Sequence, residues 1–490
     1  VRISVVGAGY VGLVTAACLA RLGNVVRVLE IDQNRVDHLR RGILPIREPG
    51  LEQLVEESLD AGRLTFDSDP ASIRGTRLSI VCVGTLDAEG DWTAGTVRRT
   101  VEALAADSRG PRGIVVRSTL LPGTGVMLAQ AAKAIDPAVA LALNPEFTRE
   151  GAAVSDFMAP DRVVIGVEDP TAPSRLLDDL RRLYAPLEAP YVVTDLTSAE
   201  AIKVASNVFL ATKISFANEI ARLAAAMGAD VQAVVDGMGL DKRIGRGFLS
   251  PGPGFGGSCF PSQSRALPEL ARTLGVAAPL MSSIAASNDG QADWLLDRLE
   301  IAAGGRPIAG WRVALLGLTF KADTDDLRES PALRLARRLT ARGASVVCFD
   351  PLATASGVAA LRAEGLDVSA ADSAEAACAG ADAVVVATEW PEFRVLEWRE
   401  IAQQMRGNLV ADARHVVDVE DATRAGLIVV AMGVVKGLGD GAAAEAGLAA
   451  PEDRLAAAGD EPLASDDAPP LTQDGVPIAA TPPAVEGRLR

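Results

Sequence analysis

Short runs rich in Val, Ile and Leu alternate along the chain with longer stretches in which apolar residues return every three or four positions. The short runs read as strands and the longer ones as helices. In the first part the strand candidates are Arg2 to Val6, Val25 to Leu29, Leu78 to Val83, Gly113 to Arg117, Ala138 to Leu143 and Arg162 to Val167. Helical patterns separate several of them, and that alternation predicts a parallel, doubly wound sheet. Gly304-Gly305-Arg306-Pro307 reads as a linker, and a second alternating set follows it. Its strands are Arg312 to Leu316, Ser345 to Asp350, Ala383 to Ala387 and Leu409 to Asp412. Two helical stretches lie between the sets. One begins near Thr197, where Thr197-Ser198-Ala199-Glu200 has the spacing of a capping box, and runs to about Met227 without Pro or Gly. Its length suits a spine between domains. The other covers roughly Ser262 to Leu299. From Gly441 to Arg490 the periodicity is lost and Ala, Pro, Gly, Asp and Glu dominate, which predicts a disordered acidic tail. The expected architecture is α/β: two doubly wound parallel-sheet domains joined by a central long-helix domain. The expected boundaries are 1–196, 197–303 and 304–440, with the tail at 441–490.

Composition narrows the partners. With 490 residues, 49% of them hydrophobic, two or three cores can form. A formal net charge of -16 argues against nucleic acid and anionic membranes. Local Lys and Arg can still build a phosphate site. The chain opens directly on a strand, with no signal-peptide pattern, and no apolar run is long enough to span a bilayer. The expectation is a cytoplasmic protein. Five cysteines have no metal-ligand spacing, and no metal is expected. Cys18, Cys82, Cys348 and Cys378 read as buried structural thiols. His38 and His415 are the only histidines, which disfavours His-based nucleophile chemistry.

Gly7-Ala8-Gly9-Tyr10-Val11-Gly12 follows a strand and opens a helix, the context of a Rossmann-like dinucleotide turn. The glycines allow a tight turn and close approach of a pyrophosphate to the helix start. Glu30, at the end of the next strand, has the position of an acid that holds the adenosine ribose and favours NAD over NADP. Gly254-Phe255-Gly256-Gly257-Ser258-Cys259-Phe260 is a second motif. Its glycines leave backbone N–H groups that could face a ligand and lower the thiol pKa. A buried cysteine beside a tight turn is the equal alternative. Asn144-Pro145-Glu146-Phe147-Thr148-Arg149-Glu150-Gly151 follows a strand end and offers two carboxylates for base or polar-contact work. Lys203 and Asn207 share a helix face, suited to an oxyanion or to solvent. Cations recur at strand ends of the second set, at Lys321, Arg328 and Arg414.

Together these stretches, with Ser118-Thr119 and Arg243-Ile244-Gly245, resemble the UDP-glucose 6-dehydrogenase family of nucleotide-sugar dehydrogenases over roughly Val1 to Lys436. The resemblance implies an NAD-binding first domain, a central helical domain carrying the catalytic cysteine loop, a UDP-binding third domain and a homodimer built on the long helix. It implies Cys259 as nucleophile, Glu146 as base, Lys203 and Asn207 as oxyanion and water-positioning groups, and Thr119 beside them. Its implied NAD contacts are Gly7, Gly9, Tyr10, Val11, Gly12, Glu30, Arg35, Thr85, Thr119, Glu150 and Arg328. Its implied nucleotide-sugar contacts are Glu146, Phe147, Glu150, Lys203, Asn207, Arg243, Leu249, Gly256, Lys321 and Arg414.

The implied reaction is a four-electron oxidation of UDP-glucose to UDP-glucuronate through a thiohemiacetal and a thioester on Cys259. GDP-mannose and UDP-N-acetylhexosamine remain alternative substrates, although Ser258 stands where the hexosamine branch has His. The chain departs from the family at Ser262-Gln263, where Lys-Asp is usual, and at Leu86, where Pro is common. Gln263 can hold a water but cannot act as a base. Slow thioester hydrolysis, or a paralogue that binds without efficient turnover, is the competing expectation. A two-electron hydroxyacid dehydrogenase would need neither Cys259 nor the second α/β set.

Overall fold

The computed structural model describes residues 1–86, 92–107 and 109–436. The acidic tail predicted at 441–490 lies outside the described residues.

The first sheet has eight strands: β1 (Arg2–Val6), β2 (Val25–Leu29), β3 (Leu64–Asp67), β4 (Leu78–Val81), β5 (Gly113–Val116), β6 (Ala140–Leu143), β7 (Val163–Val167) and β8 (Tyr191–Asp195). They run in the order β3-β2-β1-β4-β5-β6-β7-β8. The second sheet holds β9 (Arg312–Leu316), β10 (Ser345–Phe349), β11 (Val368–Ala370), β12 (Ala383–Val386), β13 (Leu409–Asp412), β14 (Ile428–Ala431) and β15 (Val434–Lys436), in the order β11-β10-β9-β12-β13-β14-β15. The central strands β4, β5, β7 and β12 are buried at every position. Helices cover both faces, so these strands read as unbroken apolar runs. The strand order reverses at β1/β4 and again at β9/β12. Such switch points open a crevice at the carboxyl edge.

The α/β architecture with two mostly parallel sheets and a helical middle is as expected, with four differences in detail. Strand β7 pairs antiparallel with β6 at Leu143 and Gly166, so β7 and β8 run against the rest. β15 is likewise antiparallel to β14. Five strands go beyond those predicted, β3, β8, β11, β14 and β15, each only three to five residues long. The long helix, Leu196–Met227, starts earlier than its capping box suggests. Its cap is Asp195, which accepts from Ser198 N at 2.8 Å. Glu200 instead reaches another element, accepting from Gly123 N at 2.7 Å and Gly125 N at 2.6 Å. The stretch read as one helix from Ser262 is three: Cys259–Thr273, Pro279–Asp289 and Gln291–Ala302. Gly275 (φ 71°) and Pro279 end and restart the chain between the first two.

The core is built sheet by sheet. Leu295, Leu296 and Leu299 of helix Gln291–Ala302 pack into the same cluster as Val313 and Leu315 of β9. A smaller cluster of Val204, Val208, Ala211, Phe255 and Ile284 fixes the cysteine loop to the long helix. No helix among the described residues is long and apolar enough to cross a membrane.

Candidate active site

The turn after β1 is shaped by what its glycines exclude. Gly7 has φ 100°, and a Cβ there would lie 2.7 Å from Cys82 O. A Cβ on Gly12 would meet Gly7 O at 1.9 Å, so the helix Tyr10–Arg21 can approach the turn only with glycine there. A Cβ on Gly9 would meet nothing within 4 Å, and no side chain caps the helix start. Open space at Gly9 and helix-start N–H groups that no side chain takes are what a pyrophosphate site requires. Glu30 is buried, accepts from Ala8 N at 2.9 Å and pairs with Arg35 at 3.4 Å. Thr85 and Thr119 follow β4 and β5 on the same carboxyl edge. The seven calls from Gly7 to Arg35 thus gather around one turn.

A cavity of about 990 Å³ opens farther along that edge, between the first sheet, the long helix and the second sheet. It is lined by Glu146, Phe147, Glu150, Lys203, Asn207, Gly256, Cys259, Lys321 and Arg414, among others. Loops after β6, β9 and β13, one helix face and the glycine loop bring these residues together. Glu146 and Lys203, 57 positions apart, form a buried ion pair at 3.0 Å. The other Glu146 oxygen accepts from Thr148 N at 2.6 Å and from its hydroxyl at 2.7 Å. Burial pushes this carboxyl up, but Lys203 and Thr148 together outweigh it and hold Glu146 below its ordinary value. Lys203 also lies 5.2 Å from the centre of the Phe147 ring, over which Arg162 stacks at 3.9 Å.

Cys259 is the first residue of helix Cys259–Thr273 and is open to the cavity, while the other four cysteines are buried. Two expectations about its loop change. The glycines serve close packing more than open N–H groups. A Cβ on Gly256 would lie 2.5 Å from Glu329 O, and one on Gly257 would lie 3.2 Å from the Phe320 ring. Phe255 N donates to Asn288 at 2.7 Å and Gly257 N to Arg328 O at 2.9 Å, so those donors are taken. The thiol is also not acidified. Desolvation by the cavity walls raises it, Glu146 raises it further, and Lys203 offsets part of this. Gln263, one turn on, is buried with an unpartnered Oε1.

The second sheet closes the far side. Lys321 donates to Glu150 O, and burial lowers its pKa. Arg328 pairs with Glu150 at 3.2 Å and Asp326 at 2.6 Å. Burial and then Asp326 push Glu150 up to about 7, against Arg328. Arg414 donates to Phe320 O at 2.8 Å and pairs with Glu389 at 3.0 Å. Thr119 and Arg328 do not line the cavity, and two of the nucleotide-sugar calls stand apart from it. Arg243 is exposed and paired with Asp241, while Leu249 is buried in a cluster with Ala217 and Val231. Unforeseen supports include Arg117 and Tyr184, which donate to Asn144 Oδ1 at 2.7 and 2.6 Å and fix the root of the Glu146 loop. Each lies far from Asn144 in sequence, so no motif links them. Among the described residues no cluster of His, Cys, Asp and Glu could hold a metal ion.

Comparison with known proteins gives a consistent picture. Profiles of the UDP-glucose/GDP-mannose dehydrogenase family match in three blocks: the NAD binding domain at 1–188, the central domain at 197–290 and the UDP binding domain at 314–419. The chain is 43% identical over 429 residues to UDP-glucose 6-dehydrogenase of Pseudomonas aeruginosa, covering 85% of this chain and 93% of that protein. It is 40% identical over 433 residues to UDP-glucose 6-dehydrogenase of Rhizobium meliloti, covering 87% and 98%. Its structure resembles that of a UDP-glucose dehydrogenase from Pyrobaculum islandicum, with TM-score 0.77, 37% identity and coverage of 85% and 94%.

Proposed function

From a chain that belongs to the UDP-glucose/GDP-mannose dehydrogenase family, and is an NAD-dependent oxidoreductase acting on a nucleotide sugar, we infer oxidation of UDP-glucose to UDP-glucuronate as its reaction. The observation that carries the chemistry is Cys259 at a helix start, open to the same cavity as the Glu146–Lys203 pair and Asn207.

The open face of Gly9, the uncapped helix start and buried Glu30 fit NAD, with Arg35, Thr85 and Thr119 along the rim. When bound, NAD supplies the hydride acceptor, one NAD for each of the two oxidation steps, so two are consumed per sugar. Glu146 takes the proton of the C6 alcohol, and Lys203 balances charge on that oxygen. Loss of hydride gives an aldehyde. Cys259 Sγ then adds to its carbonyl carbon while the thiol proton passes to the carbonyl oxygen, forming a C–S bond and a thiohemiacetal. Loss of a second hydride and of the hydroxyl proton leaves a thioester. Water adds to it, the C–S bond breaks, and carboxylate and thiol are released. Asn207 holds the water and Thr119 orients the reacting end. Phe147, Glu150, Gly256, Lys321 and Arg414 hold the nucleotide sugar, and Arg328 bridges to the cofactor side through Glu150. We assign 1–196 to NAD, 197–303 to the cysteine chemistry and 304–440 to UDP.

The test is to count NADH formed per UDP-glucose consumed. Two supports the full sequence; one, with free aldehyde, rejects the thioester. GDP-mannose and UDP-N-acetylhexosamines run alongside test the sugar. One observation favours a second reading in which hydrolysis is slow. Gln263 is a neutral amide, and Glu146 is already held by Lys203 and Thr148. A burst of NADH equal to the enzyme concentration marks that case.

A homodimer on the long helix is supported by exposed Phe209, Phe216, Leu223 and Met227 on that helix. A cytoplasmic setting is supported by five free cysteines.

A further inference from the structure

Glu48 lies in the loop before helix Leu51–Asp60 and is buried at 8% exposure. Its Oε2 accepts from Gly151 N at 2.7 Å and from the Tyr10 hydroxyl, and its Oε1 accepts from Ala153 N at 2.7 Å. Gly151 N also donates to the Tyr10 oxygen at 3.2 Å. These partners belong to different parts of the site. Tyr10 opens the helix that follows the glycine turn. Gly151 ends the Glu146 loop, and the residue before it gives its carbonyl to Lys321 and its carboxylate to Arg328. A Cβ on Gly151 (φ 77°) would lie 3.8 Å from both Lys321 Nζ and Asp323 Cβ, so this backbone sits directly against the second sheet's loop.

Among the described residues no cation lies within ion-pair distance of Glu48, whose charge reaches Lys321 only from farther off, and its three donors are all neutral. A buried carboxylate with neutral donors is costly and is kept only where its hydrogen bonds do something no shorter route could. Here it spans the dinucleotide turn and the segment that anchors Lys321. Shifting Tyr10 shifts Glu48, and with it the Glu150–Gly151 backbone.

We propose that Glu48 is a positioning residue that carries the geometry of the dinucleotide turn to Glu150 and Lys321, and so sets the affinity for the nucleotide sugar. The proposal rests on the assignment of Lys321 and Glu150 to nucleotide-sugar binding. It makes Tyr10 matter for a ligand that Tyr10 is not assigned to touch.

The experiment compares wild type, Y10F, E48Q and the double variant in steady state with UDP-glucose at saturating NAD. Y10F removes one hydroxyl and should raise KM for UDP-glucose roughly fivefold, the size of one lost neutral hydrogen bond. E48Q keeps one acceptor oxygen and turns the other into an NH2 donor, so it breaks one or two of the three bonds and should raise KM at least about fivefold. In E48Q kcat should fall far less than KM rises, since Glu48 touches no reacting atom. The double variant should be no worse than E48Q, because Tyr10 acts through Glu48. A Y10F effect confined to KM for NAD, or single effects that multiply in the double variant, would overturn the proposal. Should E48Q fail to fold, Y10F alone decides. Wild-type turnover judges the activity separately, and calorimetric binding of UDP by the same variants judges Glu48 even where turnover is absent.

Discussion

A buried ion pair is worth little until one partner is removed. Lys203 and Glu146 are both almost fully buried and 3.0 Å apart. Replacing Lys203 by Met leaves Glu146 with the burial that raises its pKa and without the cation that lowers it. The acidic limb of the kcat/KM profile of any residual activity should then move to higher pH, and urea unfolding should show a loss of about 3–5 kcal/mol. Cys259 supports a second expectation. Its thiol is raised by desolvation and by Glu146, so the unliganded enzyme holds little thiolate at neutral pH. Alkylation by iodoacetamide should climb through the alkaline range, and mass spectrometry should find Cys259 modified well before the four buried cysteines. Rapid labelling at pH 6 would contradict this.

Helix Thr124–Ile135 begins behind the Thr119 loop, and its N-terminus is tied to the long helix by Glu200. Desolvation raises Glu200 to about 7, with its two backbone donors working against the shift. Its folded pKa therefore exceeds the ordinary 4.5 of the unfolded chain. Between these values the folded state holds the proton that the unfolded state has released, so stability falls as pH rises across that window. Thermal melts from pH 5 to 7 should show this decline, and Glu200→Gln should flatten it. The cysteine loop is an element held by exclusion. In Gly256→Ala the new Cβ would lie 2.5 Å from Glu329 O and 2.8 Å from Pro331 Cδ. The loop must move off the second sheet, which should cost about 1–3 kcal/mol of stability and raise KM for the nucleotide sugar. Unchanged melting and kinetics would show that the contact is slack.

The whole molecule repeats one device at two scales. Gly7 turns against Cys82 after β1, and Gly317 (φ 90°) turns against Thr388 after β9. Glu30 accepts from the first turn, and Asp350 accepts from Leu318 N at 2.7 Å in the second. The second turn is also closed by Trp390, which donates to Asp350 at 3.1 Å. The two switch points are thus alike in topology and different in what they leave open. Between them the long helix exposes Phe209, Phe216 and Leu223 at seven-residue spacing, on one side. Phe216→Asp should convert the proposed dimer to monomer in sedimentation velocity, and a monomeric wild type would remove that reading.

The strands β1, β2, β9 and β13 were legible to the residue, because a sheet covered on both faces demands unbroken apolar runs. The glycine turn and Glu30 were legible too, since a turn that tight accepts few residue types. Cys259, Glu146, Lys203 and Asn207 could be named as candidates from local motif and resemblance. Their meeting could not, because Glu146 and Lys203 are 57 positions apart and no local pattern encodes a distance across the fold. The same limit hid Glu48, whose partners stand 38, 103 and 105 positions away. It also explains Glu200, whose sequence spacing suggested a cap on its own helix while packing turned it to another. Sequence by itself determined the elements and the chemistry available, through side-chain periodicity and residue type. Only the tertiary structure decided which charges are paired, which N–H groups are spent and whether the thiol is acidified, because those depend on burial and on neighbours brought from distant parts of the chain.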